Sequence, residues 1–489
     1  MALGSRAAKP LSAYLSRHAL GLLTLGGGVA TLLALTPLPL GMLILAGGIA
    51  IAIALFEPLA ALALALLFGP ARALLAAAWP GAPIFPGQVL FGLFALAWLL
   101  HGLFRRRLRL RMPAFTVPAL LYVGVGALSL WGAADPLSGL FELIKWLQLV
   151  AVALLVFDCC RRRHVGWVLT AALASGALQA AVGLWEFGLR SSGPEAFELV
   201  PGLFRAYGTF EQPNPFGGFM GLCWPLGIGL SVGLLSAARK PAKARRTSLG
   251  VLALAAAVLA MGGLVVSYSR GAWIGSLVAA GVMGVFWPRR QGWGIVVAML
   301  GLAAVFVVAR VGALPEDIVE RFDSVAEFTR VQDVRGAAID AENYSLIERV
   351  AHWQAASRMA SARPWLGVGL GNFQAAYPDY RLHNWEHALG HAHNVYLNAA
   401  AETGLLGLGA YLLLWGSVFA VTLRALGGST GWRRGVALGL LGVWTHMTVH
   451  NLVDYLFVNN VHLYLGALLG VLAVIAAPTG KTNVSQASG

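Results

Sequence analysis

Three short stretches carry the side chains best suited to chemistry: Arg205 with Tyr207, Gly208 and Thr209; Ser267 through Arg270; and His391, His393 and Asn394. A guanidinium is a planar fork that fits phosphate oxygens, so two arginines on one face can grip a diphosphate. Imidazole titrates near neutrality and takes a proton from a hydroxyl, which makes a histidine beside such a pair a natural general base. His393 is favoured for that role because Asn394 follows it where an apolar run begins, and a helix end holds a base more firmly than mid-loop. Arg270 stands out among the arginines because apolar runs flank it, and a charge inside a membrane span costs about 2.5 to 3.5 kcal/mol at the centre and less at the edge. The competing reading of each arginine alone is a side chain reaching for lipid headgroups.

Five of the 11 histidines, His352, His383, His387, His391 and His393, fall in one polar stretch. His383, His387 and His391 have the i, i+4 spacing of metal ligands on a helix, and His383, Glu386 and His387 spell H-x-x-E-H. That pattern needs a helix and a third ligand, so the acid/base reading is preferred and no metal is expected. Cys159 and Cys160 are adjacent and Cys223 lies in an apolar run, which gives neither a disulfide framework nor a zinc spacing. Gly480, Lys481 and Thr482 end no phosphate loop, because Ile475 stands where its first glycine belongs. No cofactor is expected.

The elements that must position these residues are membrane helices. The chain has 489 residues, 58% hydrophobic and only 11% charged, with a mean hydropathy of +0.73, whereas a soluble chain carries about 25% charged residues. Runs of the about 20 apolar residues that cross a bilayer recur from end to end. The spacing predicts crossings near 19–36 (read as a retained signal anchor), 39–56, 58–78, 87–104, 113–132, 137–157, 165–188, 213–236, 248–266, 271–287, 293–310, 395–423, 435–455 and 461–476. Gly69, Pro70 and Arg72 interrupt the third, predicting a broken or re-entrant helix. The formal net charge of +14 resides mostly in basic clusters between runs, at Arg105 to Arg111, Arg161 to Arg163, Arg239 to Arg246 and Arg433 to Arg434. The positive-inside rule makes these cytoplasmic and accounts for the basicity without nucleic acid. The polar stretch 311–394, holding about half of the acidic residues, is then non-cytoplasmic. Within it Leu346, Val350, Trp353 and Ala356 recur at helical spacing over 342–363.

Together the segments Arg205-Ala-Tyr-Gly-Thr-Phe-Glu-Gln-Pro-Asn, Ser-Tyr-Ser-Arg270-Gly-Ala, Pro-Trp-Leu-Gly-Val-Gly-Leu-Gly-Asn-Phe373 and His391-Ala-His-Asn-Val-Tyr-Leu resemble the O-antigen ligase and polymerase family over roughly residues 200–455. The resemblance implies an all-α, polytopic transmembrane bundle of the GT-C type, with about 12 to 14 spans and a large, partly helical periplasmic loop. It divides the chain into a transmembrane bundle (1–310), the periplasmic loop (311–394) and C-terminal transmembrane helices with a short tail (395–489). It implies a glycosyltransferase in the bacterial inner membrane that moves a glycan from undecaprenyl diphosphate to an acceptor such as lipid A core, inverting and without a metal. Arg205 and Arg270 would hold the carrier diphosphate and His393 would activate the acceptor hydroxyl. Arg349 would assist with the diphosphate, His391 would orient His393, and Tyr207, Asn214 and Asn394 would make further contacts. This chain has Gln212 where family members often carry asparagine before the proline.

Within the family these motifs do not separate a ligase from a polymerase; the histidine with two arginines favours the ligase. A transporter or flippase for the same lipid-linked glycan predicts ionisable residues deep in several spans. In the sequence the obvious internal pair is Glu142 and Lys145, spaced to pair along one helix face.

Overall fold

The computed structural model describes residues 47–49, 51–52, 57–78, 86–104, 110–160, 162, 164–236, 243–288, 292–297, 299–301, 333–335, 339, 343–382 and 385–478. The crossings expected at 19–36 and 39–56 fall almost wholly outside them, as do most of the cluster Arg105 to Arg111, the first part of the polar stretch and His383. The described chain is an all-α, polytopic bundle. Its helices are α1 (Pro58–Phe68), α2 (Arg72–Ala78), α3 (Pro86–Phe104), α4 (Thr116–Ser129), α5 (Pro136–Cys159), α6 (Val165–Gly188), α7 (Pro213–Ser236), α8 (Lys243–Val266), α9 (Arg270–Phe286), α10 (Tyr344–Ala362), α11 (Phe373–Tyr380), α12 (Val395–Gly428), α13 (Gly431–His450) and α14 (Val461–Ala476). Among the described residues, six helices are long and apolar enough to cross a membrane, within α3, α5, α6, α7, α8 and α12.

The bundle's centre is α7, packed against α8 and α13, with α9 against α13 and α14 against α5. Its core is continuous, and α14 is buried almost throughout, which fits its near-total lack of polar residues. The interruption in 58–78 is present: a 3-10 turn, Gly69–Ala71, separates α1 from α2. Carbonyls at the break are met by protein, Gly69 O by Asn460 Nδ2 (3.4 Å) and Pro70 O by Thr209 Oγ1 (3.1 Å), as a break among apolar helices requires. At the basic end, Arg434 donates to Leu426 O (2.8 Å) and Phe286 O (2.9 Å), tying the C-terminal ends of α12 and α9. A cation there also meets the negative end of each helix dipole.

The polar stretch is folded down onto the other end. The helix expected over 342–363 is α10, with Leu346, Val350 and Ala356 buried. The glycine-rich segment after it is stitched to the α4–α5 hairpin: Leu370 N donates to Ser129 Oγ (2.9 Å), and Asn372 exchanges hydrogen bonds with the backbone of Asp135 (2.7 and 3.0 Å). The same segment bonds to α12, where Val368 N meets Ala401 O and Phe373 N meets Glu402 Oε1. That docking coincides with a kink in α12 at Gly404, whose φ of 66° suits a residue without Cβ.

Candidate functional site

The Arg205 segment leaves α6 through a minimal antiparallel hairpin, β1 (Glu198–Val200) and β2 (Leu203–Phe204). Arg205 N donates to Phe197 O and Ala206 N to Val266 O, which lays the segment on the end of α8. Buried Glu186 holds the next turn by accepting from Tyr207 N (3.0 Å) and Gly208 N (2.7 Å). So fixed, Arg205 Nε donates to Ser267 O (3.0 Å) and Nη2 to Asn214 Oδ1 (3.0 Å). Arg270 is the first residue of α9, whose N-cap is Ser269. Its Nη2 reaches Ser345 Oγ (3.3 Å), and Arg349 Nη1 donates to the backbone oxygen of the same serine (2.9 Å). Arg205, Arg270 and Arg349 therefore lie along one connected line of contacts, all half-buried. Arg349 Nε is buried and has no hydrogen-bond partner within the protein.

From α10 the site passes to the histidines. The His352 ring lies 5.8 Å from that of His393, edge to face, and the His391 ring lies 4.4 Å away on a second contact. His393 has a φ of 49°, and its backbone N–H donates to His391 Nδ1 (3.2 Å). That bond needs a lone pair on Nδ1, so His391 is neutral, in agreement with burial and the neighbouring His393, which push its pKa down to about 3. Burial likewise lowers His352 and raises Glu348 one turn before it. Both ring nitrogens of His393 are buried without a hydrogen-bond partner. Nδ1 faces Asp454 Oδ1 at 3.8 Å, and the other oxygen, Oδ2, faces His450 Nε2 at 3.6 Å. The Asp454 carboxylate thus stands between two imidazoles, one at each oxygen.

His391, His393 and Asp454 each offer a ligand atom, all within 4.8 Å of one another. Zinc bound tetrahedrally at about 2.1 Å wants its ligand atoms about 3.4 Å apart, and His391 Nδ1 already accepts from the His393 backbone. A cation would need that bond broken and the group drawn in. The arrangement suits acid/base chemistry: a carboxylate beside one imidazole nitrogen stabilises the imidazolium formed when the other nitrogen takes a proton.

Residues 255–412 match the family model for O-antigen ligase. The match supports assignment of the chain to the O-antigen ligase/polymerase family, whose members are membrane glycosyltransferase-like enzymes. None of the curated proteins matches the chain. The O-antigen ligase stretch contains Arg270, Arg349, His391 and His393, while Arg205, His450 and Asp454 lie outside it and join the same site only through folding.

The structure links Arg205, Arg270 and Arg349 through residues 267–270 and Ser345, sets His391 against His393, and joins the two groups through His352 of α10. Tyr207 turns its hydroxyl to Arg190 Nη1 (2.8 Å). Asn394 spends its amide on the N-cap of α12, accepting from Tyr396 N and Leu397 N, and on Leu452 O (2.9 Å), so it anchors His393 from behind. His383, the first residue of the H-x-x-E-H pattern, lies outside the described residues; 385–394 form no helix, so His387 and His391 are not stacked one turn apart. Sequence reading missed Asp454, His450, His446 and Glu348. A signal was present in His446, His450 and Asp454, which recur every four residues on a largely apolar stretch. Gly221 marks the same row, because a Cβ there would run into the His446 ring.

Proposed function

We propose that this protein is a ligase-type glycosyltransferase that moves a glycan from undecaprenyl diphosphate to an acceptor such as lipid A core on the periplasmic side of the bacterial inner membrane. The observation that carries the reading is His393: a half-buried imidazole with no partner at Nε2 and a carboxylate at Nδ1, against His352 of the helix whose Ser345 meets both Arg270 and Arg349. In the proposed step Nε2 removes the proton of the acceptor hydroxyl, whose oxygen bonds to the anomeric carbon. The bond from that carbon to the diphosphate oxygen breaks, and its electron pair leaves on the diphosphate. Attack opposite the leaving group inverts the anomeric carbon. Arg205, Arg270 and Arg349 supply fixed positive charge where negative charge develops on the diphosphate, the work a divalent cation does in other phosphate-transferring sites. Asp454 stabilises the imidazolium while it lasts.

The test is transfer by purified protein from undecaprenyl diphosphate glycan, offered lipid A core and a second carrier-linked unit, with a chelator present and His393→Ala alongside. Transfer to lipid A core that the variant loses by a factor of about 10² to 10⁴, the usual worth of a general base, supports the ligase. Chain growth on the carrier instead makes the protein a polymerase using the same residues. Passage of the lipid across a bilayer without transfer would overturn the enzyme reading in favour of a flippase.

A further inference from the structure

His450 is the last residue of α13, buried four residues before Asp454. Its ring sits in a slot left by two glycines: a Cβ at Gly218 of α7 would lie 2.9 Å from Cε1, and one at Gly271 of α9 would lie 3.0 Å from Cδ2 and 3.2 Å from Nε2. Gly271 directly follows Arg270. The His446 ring closes the slot, edge to face at 5.5 Å; its Nδ1 meets Ser276 Oγ (3.2 Å), which in turn accepts from Trp224 Nε1 (3.0 Å).

An apolar side chain would fill this slot with no polar hydration to lose, whereas a buried imidazole is costly unless a polar partner meets it. That partner is Asp454, whose Oδ2 faces His450 Nε2 at 3.6 Å. The two carboxylate oxygens are held differently. Oδ1 accepts from Tyr455 N (2.8 Å) and faces His393 Nδ1 at 3.8 Å, while Oδ2 faces His450. A carboxylate only accepts, so Nε2 carries the proton in this contact. At 3.6 Å the contact is longer than a hydrogen bond, as catalytic contacts commonly are before substrate and developing charge draw them in. The backbone around Asp454 is stitched to the His393 segment: Val395 N donates to Asn451 O (2.9 Å) and Asn394 Nδ2 to Leu452 O (2.9 Å). Those bonds do not set the rotation of the carboxylate, and His450 stands where it would set it.

We propose that His450 is a positioning residue: its Nε2–H holds Asp454 Oδ2 so that Oδ1 stays on His393 Nδ1, and its seat on Gly271 keeps the carboxylate and the base in fixed register with Arg270. The inference rests on the transferase reading of the site. His450 touches neither substrate in it and acts on proton transfer at His393 only through Asp454.

Two substitutions separate this role from simple filling of the slot. His450→Gln keeps an N–H at the Nε2 position and loses the ring, whereas His450→Phe keeps the ring and loses the N–H. Steady-state transfer in nanodiscs and thermal melting are measured for both. The expected result is a kcat for His450→Gln within about threefold of wild type and one for His450→Phe lower by about 10- to 100-fold, the worth of one hydrogen bond to a charged group. KM for both substrates should be unchanged, and His450→Phe should melt no lower than His450→Gln. If His450→Phe does not fold, His450→Asn takes its place, because the shorter amide reaches the Nδ1 position and not Nε2. Equal kcat in the two variants, the reverse order, or a loss that appears in KM overturns the proposal. Wild-type protein that transfers glycan while the variants behave in one of those ways loses this inference alone. Wild-type protein that transfers none loses the enzyme reading, and this inference with it.

Discussion

Replacing Asp454 by asparagine keeps the side chain's shape and removes its charge, which makes it the sharpest probe of the site. Unit charges 3.8 Å apart, the separation of His393 Nδ1 and Asp454 Oδ1, attract by about 4 kcal/mol at an effective dielectric constant of about 20. That attraction exists only while His393 carries the proton it has taken, so its loss falls on the transition state and not on substrate binding. At about 1.4 kcal/mol per decade the rate should drop by up to about 10³. His450 faces the other carboxylate oxygen at 3.6 Å and shares the charge, so about 10² to 10³ in kcat is expected, with KM for both substrates unchanged. Steady-state transfer in nanodiscs measures both. The same substitution in a His393→Ala background should cost little more, because residues acting as one unit are not additive. A kcat for Asp454→Asn within about fivefold of wild type, or an undiminished loss in the His393→Ala background, would refute the dyad.

Arg270→Lys keeps the positive charge but loses the planar fork that reaches Ser345; activity should fall by about 10² to 10³, the cost of one oxyanion contact, and near-normal activity would show that charge alone suffices. The pKa of His391, depressed to about 3, predicts acid sensitivity. The folded state resists a proton that the unfolded chain accepts near pH 6.5, so this stability is complete above that pH and is lost as pH falls toward 3. Its ceiling is about 5 kcal/mol, less for a half-buried ring; melting of His391→Asn in detergent should show a flatter acid limb than wild type, and identical limbs would count against it. Gly221→Ala forces a methyl into the His446 ring and should cost about 1 to 3 kcal/mol; an unchanged melting temperature would mean that the row of histidines is loosely held.

The helices that pack the bundle were legible because apolar length and period are local properties. Even the break at Gly69–Ala71 and the α10 helix followed from residue type and spacing. The candidate site was partly legible for a related reason: arginine and histidine at the edges of apolar runs are costly enough to stand out, as Arg270 and His393 do. Asp454 did not stand out, since an aspartate just beyond a helix end is ordinary in sequence, and its meaning depends on a histidine 61 positions earlier. Asn394 carries a meaning of the opposite kind, a local one: an asparagine directly before a helix is a cap, and its side chain accepts from Tyr396 N and Leu397 N.

By itself, then, the sequence determined that the chain is a membrane-spanning bundle and which residue types could grip phosphate or move a proton. Those facts are set by hydration: burying apolar runs in lipid is favourable, and leaving charges among them is not. Only the tertiary structure decided that Arg205, Arg270 and Arg349 share one line of contacts, that Asp454 stands against His393, and that a cavity opens beside His391. Each of these joins helices far apart in the chain, and such distances are fixed by how the helices pack and where α12 kinks, which no local spacing encodes.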